Sequence, residues 1–93
     1  MLYVICYDVS DQRRRTRAGQ FLEGLGRRVE KSVFECCLAH EEIEKVRATL
    51  GKLLTVSEDR CHIYRVCSAC ACERVVIGGD LEGAAWPGGT VIV

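Results

Sequence analysis

Residues 2–8 read Leu2-Tyr3-Val4-Ile5-Cys6-Tyr7-Asp8, and this stretch decides the fold. A short apolar run that is rich in β-branched and aromatic residues predicts a buried strand. Such a strand has no structural need for a carboxylate at its last position, so Asp8 indicates a function at that point. Ser10 or Asp11 then caps a predicted helix that runs to about Leu25.

Four arginines crowd the first turns of this helix: Arg13, Arg14, Arg15 and Arg17. The positive end of the helix macrodipole lies there, which disfavours each cation by roughly a few tenths of a kcal/mol. Guanidinium groups match the geometry of phosphate oxygens. We therefore interpret the run as a surface that binds a nucleic-acid backbone beside Asp8. The alternative is an ordinary solvated helix face.

The length and the net charge of the chain limit which class of protein it belongs to. The chain has 93 residues and zero formal net charge, from 13 basic and 13 acidic side chains. We expect one domain over residues 1–93, with residues 78–93 as a C-terminal tail or strand. Zero net charge argues against a broadly basic surface that binds nucleic acid, so any such binding must come from local clusters of charge. A chain this short gains from oligomerising, which favours a symmetric dimer.

The sequence also indicates the cellular compartment in which the protein is expected. We find neither a signal peptide nor the roughly 18 consecutive apolar residues of a membrane span, so we expect a cytoplasmic protein without a membrane partner. Seven cysteines are then expected to be free thiols. The spacing Cys67-x-x-Cys70-x-Cys72 leaves zinc as an alternative, although a structural site needs four ligands.

The pattern of apolar residues predicts the remaining elements. A second strand region is expected with a bulge or break near Lys31-Ser32, and then a second helix, third and fourth strands and a short closing tetrad. Their bounds are Arg28–Leu38, Glu41–Leu54, Arg60–Cys67, Glu73–Ile77 and Thr90–Val93. We interpret the order as βαββαβ, an α+β ferredoxin-like sandwich with a four-stranded antiparallel sheet and a short extra C-terminal strand. The tetrad would extend a sheet edge in its own subunit or in a neighbour.

Asp8 is the candidate metal ligand and catalytic residue. Hard cations such as Mg²⁺ or Mn²⁺ prefer carboxylate oxygens, and metal-bound water cleaves phosphodiesters. One carboxylate is a poor site, but a symmetric dimer would bring two copies of Asp8 together. The alternative is a cap or a loop-anchoring carboxylate. Asp11 is a possible second ligand, for which helix capping is the competing role.

Three further residues are candidates for nucleic-acid binding: Arg28, Ser32 and Phe34. Their segment lies beside the first strand in this fold. Ser32 either bonds a phosphate or occupies a strand bend. Phe34 either stacks on a base or fills the core.

These residues resemble the Cas2 family of small CRISPR-associated proteins. The resemblance rests on Tyr7-Asp8-Val9-Ser10-Asp11, the arginine run, Gly26-Arg27-Arg28-Val29-Glu30-Lys31-Ser32-Val33-Phe34-Glu35 and His62-Ile63-Tyr64. It extends from Leu2 to about Gly78. The chain departs from the family pattern at Glu30, where Gln is frequent, at His62, where Arg is frequent, and in its tail of glycines with Trp86.

The resemblance implies a ferredoxin-like homodimer in which one subunit's C-terminal strand extends the partner's sheet. It implies a role in spacer acquisition for antiviral defence, with the CRISPR integrase as partner. Some members are metal-dependent endonucleases that act on RNA or duplex DNA. In such an enzyme, Asp8 of this chain would hold Mg²⁺. Competing functions are a non-catalytic adaptor that bridges duplex DNA and the integrase, a toxin-type ribonuclease of related fold, and a thiol metal-binding module.

Overall fold

Six strands and three helices are present in the described parts of the chain, which the computed structural model gives as residues 1–73, 75–78 and 90–92. In chain order they are β1 (Leu2–Asp8), α1 (Gln12–Glu23), β2 (Arg27–Glu30), β3 (Val33–Cys37), α2 (His40–Leu53), β4 (Arg60–Val66), α3 (Ser68–Cys72), β5 (Val75–Ile77) and β6 (Thr90–Ile92). The first six elements follow the predicted order βαββαβ.

The main sheet has four strands in the order β2-β3-β1-β4, and every pair is antiparallel. Strand β1 is central, so that Ile5 lies opposite Phe34 of β3 on one side and Ile63 of β4 on the other. A strand that is paired on both sides is consistent with its apolar composition. The α+β ferredoxin-like fold class is thus confirmed.

Alternate residues of β1 face the core. Tyr3, Ile5 and Tyr7 are buried, whereas the residues between them are only half-buried. The helices contribute the other half of this core through apolar positions of the predicted spacing: Ala18, Leu22, Ile43, Val46 and Leu50. Both long helices therefore lie on the Tyr3–Tyr7 face of the sheet, and the opposite face has no cover within the described chain.

The second strand region is divided in two, as predicted. A turn at Lys31 and Ser32 separates β2 from β3, and the register also shifts between Arg28 and Glu30. Because this region already supplies two strands, β4 completes the sheet.

The sequence predicts that residues 73–77 form the fourth strand of this sheet. A strand is present there, but the prediction of its partner strand is wrong. Strand β5 instead pairs in parallel with β6, in a separate two-stranded sheet. The closing tetrad is expected to extend a sheet edge, but within the described chain its residues Thr90–Ile92 pair with β5 alone and add to no edge of the main sheet. The short helix α3 connects β4 to β5. Residues 79–89 and Val93 lie outside the described chain, including the predicted Gly/Trp stretch.

The helix ends follow capping chemistry. Asp11 Oδ2 accepts a hydrogen bond of 2.9 Å from the Arg14 N–H, which confirms the capping interpretation of Asp11. Glu42 Oε1 accepts from the Ala39 N–H at 2.9 Å and satisfies a donor at the start of α2. Helix α1 ends at Glu23, two residues before the predicted end.

Gly26 allows the chain to turn from α1 into β2 against β3. A Cβ atom at this position would lie under 3.0 Å from Cys36 and the Glu35 carbonyl oxygen, both part of a paired strand. We expect Gly26→Ala to lower the free energy of unfolding by about 1–3 kcal/mol, the usual cost of overpacking. Urea unfolding measures this change.

Gly51→Ala is the matched control. Position 51 lies in α2, is exposed, and has nothing within 4 Å of an added Cβ. Alanine there should raise stability by about 0.5–1 kcal/mol through its better helix propensity. Equal effects of the two substitutions would contradict the packing argument for Gly26.

No helix in the described part of the chain combines the length and the apolar character needed to cross a bilayer.

Candidate functional site

Asp8 ends β1 at the rim of an open cleft. Its carboxylate is exposed, and its backbone lies in register with Arg60 of β4. Among the described residues, the Asp8 side chain has neither a hydrogen bond nor an ion pair. The cleft has a volume of about 740 Å³ and is lined by Tyr7, Asp8, Val9, Arg15, Thr16, Gln20, Glu23, Arg28, Lys31 and Ser32. Residues from β1, α1 and the β2–β3 turn thus meet around one unpartnered carboxylate.

Arg28 is held in this cleft by three groups. Its Nε and Nη2 donate to one oxygen of Glu23 at 3.2 and 2.7 Å, and its Nη1 donates to the Lys31 carbonyl. The guanidinium carbon lies 4.7 Å from the centre of the Phe34 ring. The hydrogen bond with Glu23 raises the pKa of Arg28. With 39% of its side chain exposed, Arg28 is a fixed cation that still faces solvent.

Gly19 makes room for this arrangement. An added Cβ at position 19 would lie 2.7 Å from Arg28 Nη2 and 3.2 Å from the Tyr7 hydroxyl oxygen. Tyr7 itself is buried and its hydroxyl donates to the Lys31 carbonyl at 3.4 Å. The Lys31 carbonyl therefore accepts two hydrogen bonds that fix its position, although Lys31 is exposed to solvent. The β2–β3 turn is positioned by side chains from β1 and β2.

Phe34 does not belong to the binding surface, and its prediction as a base-stacking residue is wrong. The ring is wholly buried and forms part of the core, 6.2 Å from the Tyr7 ring between centroids. It supports Arg28 from beneath instead. Ser32 is half-buried, lines the cleft, and accepts a backbone hydrogen bond from Tyr7 at 3.0 Å.

The four predicted arginines of α1 point to three different places. Arg15 lines the cleft, and its Nη1 donates to the Val9 carbonyl at 3.2 Å. Arg13 and Arg17 are exposed one turn apart beside a shallow groove of about 540 Å³, which also contains polar side chains of α1. Arg13 and Arg17 have no hydrogen bond or ion pair within the described chain, so both can contact a ligand.

Arg14 is turned away from that groove and ties α1 to the loop before β4. Its Nε donates to Asp59 at 2.8 Å, and its Nη2 donates to Glu58 at 2.8 Å. These carboxylates raise the pKa of Arg14, with the Asp59 hydrogen bond as the largest cause. Two carboxylates therefore hold the guanidinium away from both the cleft and the groove, in contrast with the phosphate-binding role predicted for Arg14.

Asp59 is the buried centre of this link. Its side chain has 0% exposure, and it also accepts from the Thr55 N–H at 2.8 Å. The hydrogen bond from Arg14 is the largest cause of the lowered pKa of Asp59. Because the pKa is lower in the folded state, Asp59 contributes stability above its unfolded pKa of about 3.9, and this contribution is lost as the pH falls through the folded value.

We expect Asp59→Asn to unfold at lower urea concentration than wild type at pH 7, because the amide cannot replace the charged hydrogen bonds with Arg14. The difference should narrow as the pH falls below about 4, because the carboxyl of the unfolded chain takes up a proton there, whereas the native carboxyl does so only at lower pH. Urea midpoints between pH 7 and pH 2 measure the effect. Glu44→Gln, which removes an exposed partner of Arg47, is the control and should show little change at any pH. A constant difference for Asp59→Asn across this range would contradict the assignment.

Several residues of this site carry no signal in the sequence. Asp59 lies 45 positions from Arg14, and the cleft contributions of Glu23 and Lys31 depend on the turn between β2 and β3. Within the described chain no three His, Cys, Asp or Glu side chains are grouped to hold a metal ion. In the cleft, one protomer thus offers a single free carboxylate, Asp8, for a cation.

Comparisons with known proteins agree with the fold and the motifs. The family model for CRISPR associated protein Cas2 matches residues 1–74. The CRISPR-associated endoribonuclease Cas2 1 of Chloroflexus aurantiacus is 43% identical over 81 residues, which are 86% of each chain. Among solved structures, a hypothetical protein from Thermus thermophilus is 37% identical with a TM-score of 0.69, covering 72% of this chain and 82% of that one.

A chain in a partial Cas6-RT-Cas1–Cas2 complex has the same fold, with a TM-score of 0.68 at 23% identity, covering 88% of this chain and 91% of that one. The family model spans most of the chain, and the Chloroflexus relative shares more than two-fifths of the aligned residues. This chain therefore belongs to the Cas2 family of CRISPR-associated proteins.

Proposed function

We propose that this chain acts in CRISPR spacer acquisition, in antiviral defence, as a homodimeric endonuclease that hydrolyses phosphodiester bonds of RNA or DNA with Mg²⁺ or Mn²⁺. The observation that carries the proposal is the cleft, where the exposed Asp8 carboxylate lies among Arg15, Arg28 and Lys31. An unpartnered carboxylate among cations suits a metal-bound phosphate. The name endoribonuclease, given to the Chloroflexus relative, makes RNA the first substrate to test.

Asp8 and the cations would have separate tasks. Asp8 of each protomer would hold the metal, and a bound divalent cation supplies activation of water and neutralisation of charge on the scissile phosphate. Arg28 is fixed by Glu23 and presents a guanidinium to the backbone phosphates without having to be ordered first. Arg15 adds a second cation. Phosphate contacts of this kind orient the substrate and give little base specificity.

The homodimer is supported by the uncovered face of the sheet. Leu2, Val4 and Cys6 alternate with the core residues of β1, so they lie on the face opposite to the helices, and they are half-buried. On the same face, Tyr64 is 54% exposed and its hydroxyl lies 3.3 Å from His62 Nδ1. A second copy would bury this apolar surface, and it would supply the second carboxylate that a single protomer lacks.

A non-catalytic adaptor is the second candidate. The partial complex that contains a chain of the same fold joins Cas1 with Cas2, and this association suggests the CRISPR integrase as a partner of this chain. Arg13 and Arg17 lie in an open groove on α1, so a duplex could be held without any use of Asp8. Zero net charge favours a function in which a partner contributes affinity for DNA.

A cleavage assay separates the two functions. End-labelled RNA and duplex DNA are incubated with the purified protein in Mg²⁺, in Mn²⁺ or in EDTA, and binding is measured in parallel by gel shift. The endonuclease predicts cleavage that requires a divalent cation. Binding to duplex DNA with no cleavage in either metal would overturn the endonuclease and favour the adaptor.

A further inference from the structure

Two cysteines near the C-terminal end of the main sheet lie in contact. The sulfur atoms of Cys67 and Cys70 are 3.3 Å apart, within hydrogen-bond distance, and both residues are exposed. Cys67 directly follows β4, and Cys70 lies in α3, three residues further on. The Cys70 N–H also donates to Cys67 Sγ at 3.5 Å. The nuclease and adaptor functions make no use of this pair.

We propose that Cys67 and Cys70 are a redox-active dithiol, which low-molecular-weight disulfides such as oxidised glutathione convert into an intramolecular disulfide. The sulfur atoms need to approach from 3.3 Å to about 2.0 Å, a movement that side-chain rotation within one helical turn supplies. Both thiols face solvent, so an external disulfide reaches either of them. The closed ring is short and lies within the link between β4 and β5.

The proposed reaction has two exchange steps. The Cys67 thiolate attacks one sulfur of the oxidant, whose S–S bond breaks, and a thiolate leaves and takes up a proton from water. Cys70 then loses its proton and attacks Cys67 Sγ in the mixed disulfide, which expels the second small thiolate. The net change converts two protein thiols and one small disulfide into one protein disulfide and two small thiols. The two electrons released by the protein reduce the small disulfide.

The electrostatics agree with Cys67 as the attacking group. The hydrogen bond from the Cys70 N–H and that with the Cys70 sulfur lower the pKa of Cys67. The hydrogen bond with Cys67 raises the pKa of Cys70, which suits Cys70 as the group that attacks second. Burial works against this reaction at Cys36, which is wholly buried and whose pKa burial raises to about 11.

The test uses the full chain in glutathione buffers of defined ratio. Free thiols are trapped by alkylation, and the tryptic peptide of residues 66–74, which contains Cys67, Cys70 and Cys72, is analysed by mass spectrometry. We expect a peptide that has lost two hydrogens and keeps one alkylated thiol. In Cys72→Ser the same disulfide should form with no alkylated thiol left, which assigns the bond to Cys67 and Cys70.

Two further variants complete the test. Cys70→Ser should stop at a mixed disulfide between Cys67 and glutathione, with complete loss of the intramolecular bond. Cys37→Ser removes another exposed thiol, on β3, and should be oxidised over the same glutathione ratios as wild type. The proposal is overturned if wild type accumulates only mixed disulfides, or if Cys72→Ser abolishes the bond. Stoichiometric zinc released by alkylation of the thiols would also overturn it, because the cysteines would then be metal ligands.

Discussion

Replacing Asp8 with asparagine is expected to lower the rate of RNA or DNA cleavage by about 10³-fold, while nucleic-acid binding changes little. A divalent cation supplies several kcal/mol of stabilisation to the transition state, and about 4 kcal/mol corresponds to about 10³-fold in rate. Asparagine keeps the size of the side chain but removes the charge that attracts the cation. Because Asp8 has no partner in the described chain, its loss leaves no internal group unsatisfied.

The measurement is single-turnover cleavage over a range of Mg²⁺ and Mn²⁺ concentrations. If Asp8 acts only as a ligand, the variant should require more metal for half-maximal rate, and circular dichroism should show an unchanged fold. Glu44→Gln is the matched control, since it removes an exposed carboxylate of α2 that does not line the cleft. Wild-type rates in Asp8→Asn would show that the observed cleavage does not arise at this cleft, and would refute the endonuclease proposal.

Local patterns were sufficient to predict β1 and the start of α1. The apolar run of residues 2–8 is central in the sheet, and Asp11 caps the helix that follows. The predicted break at Lys31 and Ser32 is also present. It could be predicted because the alternation of apolar residues fails at these two positions. These features depend on neighbours a few positions away in the sequence, so periodicity and capping chemistry suffice to find them.

The features that the sequence did not reveal depend on distant contacts. Arg14 looked like one of four equivalent arginines, and only the folded chain brings it to Asp59, 45 residues later. Phe34 is similar: alternation could not decide which face of β3 is buried until α1 and α2 were placed on the sheet. The pairing of β5 with β6 joins strands that are separated by a long Gly-rich stretch of sequence. The periodicity of apolar residues carries no information about which distant strands pair.

This division of the arginine run leads to a second strong prediction. Arg13→Gln with Arg17→Gln is expected to weaken binding to duplex DNA by about 10²- to 10⁴-fold at low salt, because charged hydrogen bonds contribute about 1.5–3 kcal/mol each. The slope of log affinity against log salt should become shallower by about 1.8, since each phosphate contact on B-DNA contributes about 0.9. Arg14→Gln should instead destabilise the fold, because it leaves the buried Asp59 without its cation.

The control for the Arg13 and Arg17 double variant must change the net charge of the protein by the same amount. Lys45→Gln with Lys52→Gln also removes two exposed cations, but from α2, which does not line the α1 groove. If binding depended on net charge alone, both double variants would lose the same affinity and the same salt slope. Fluorescence anisotropy with labelled duplex at several salt concentrations distinguishes these outcomes. A loss confined to the α1 variant would place the backbone on Arg13 and Arg17, and equal losses would refute a localised phosphate path.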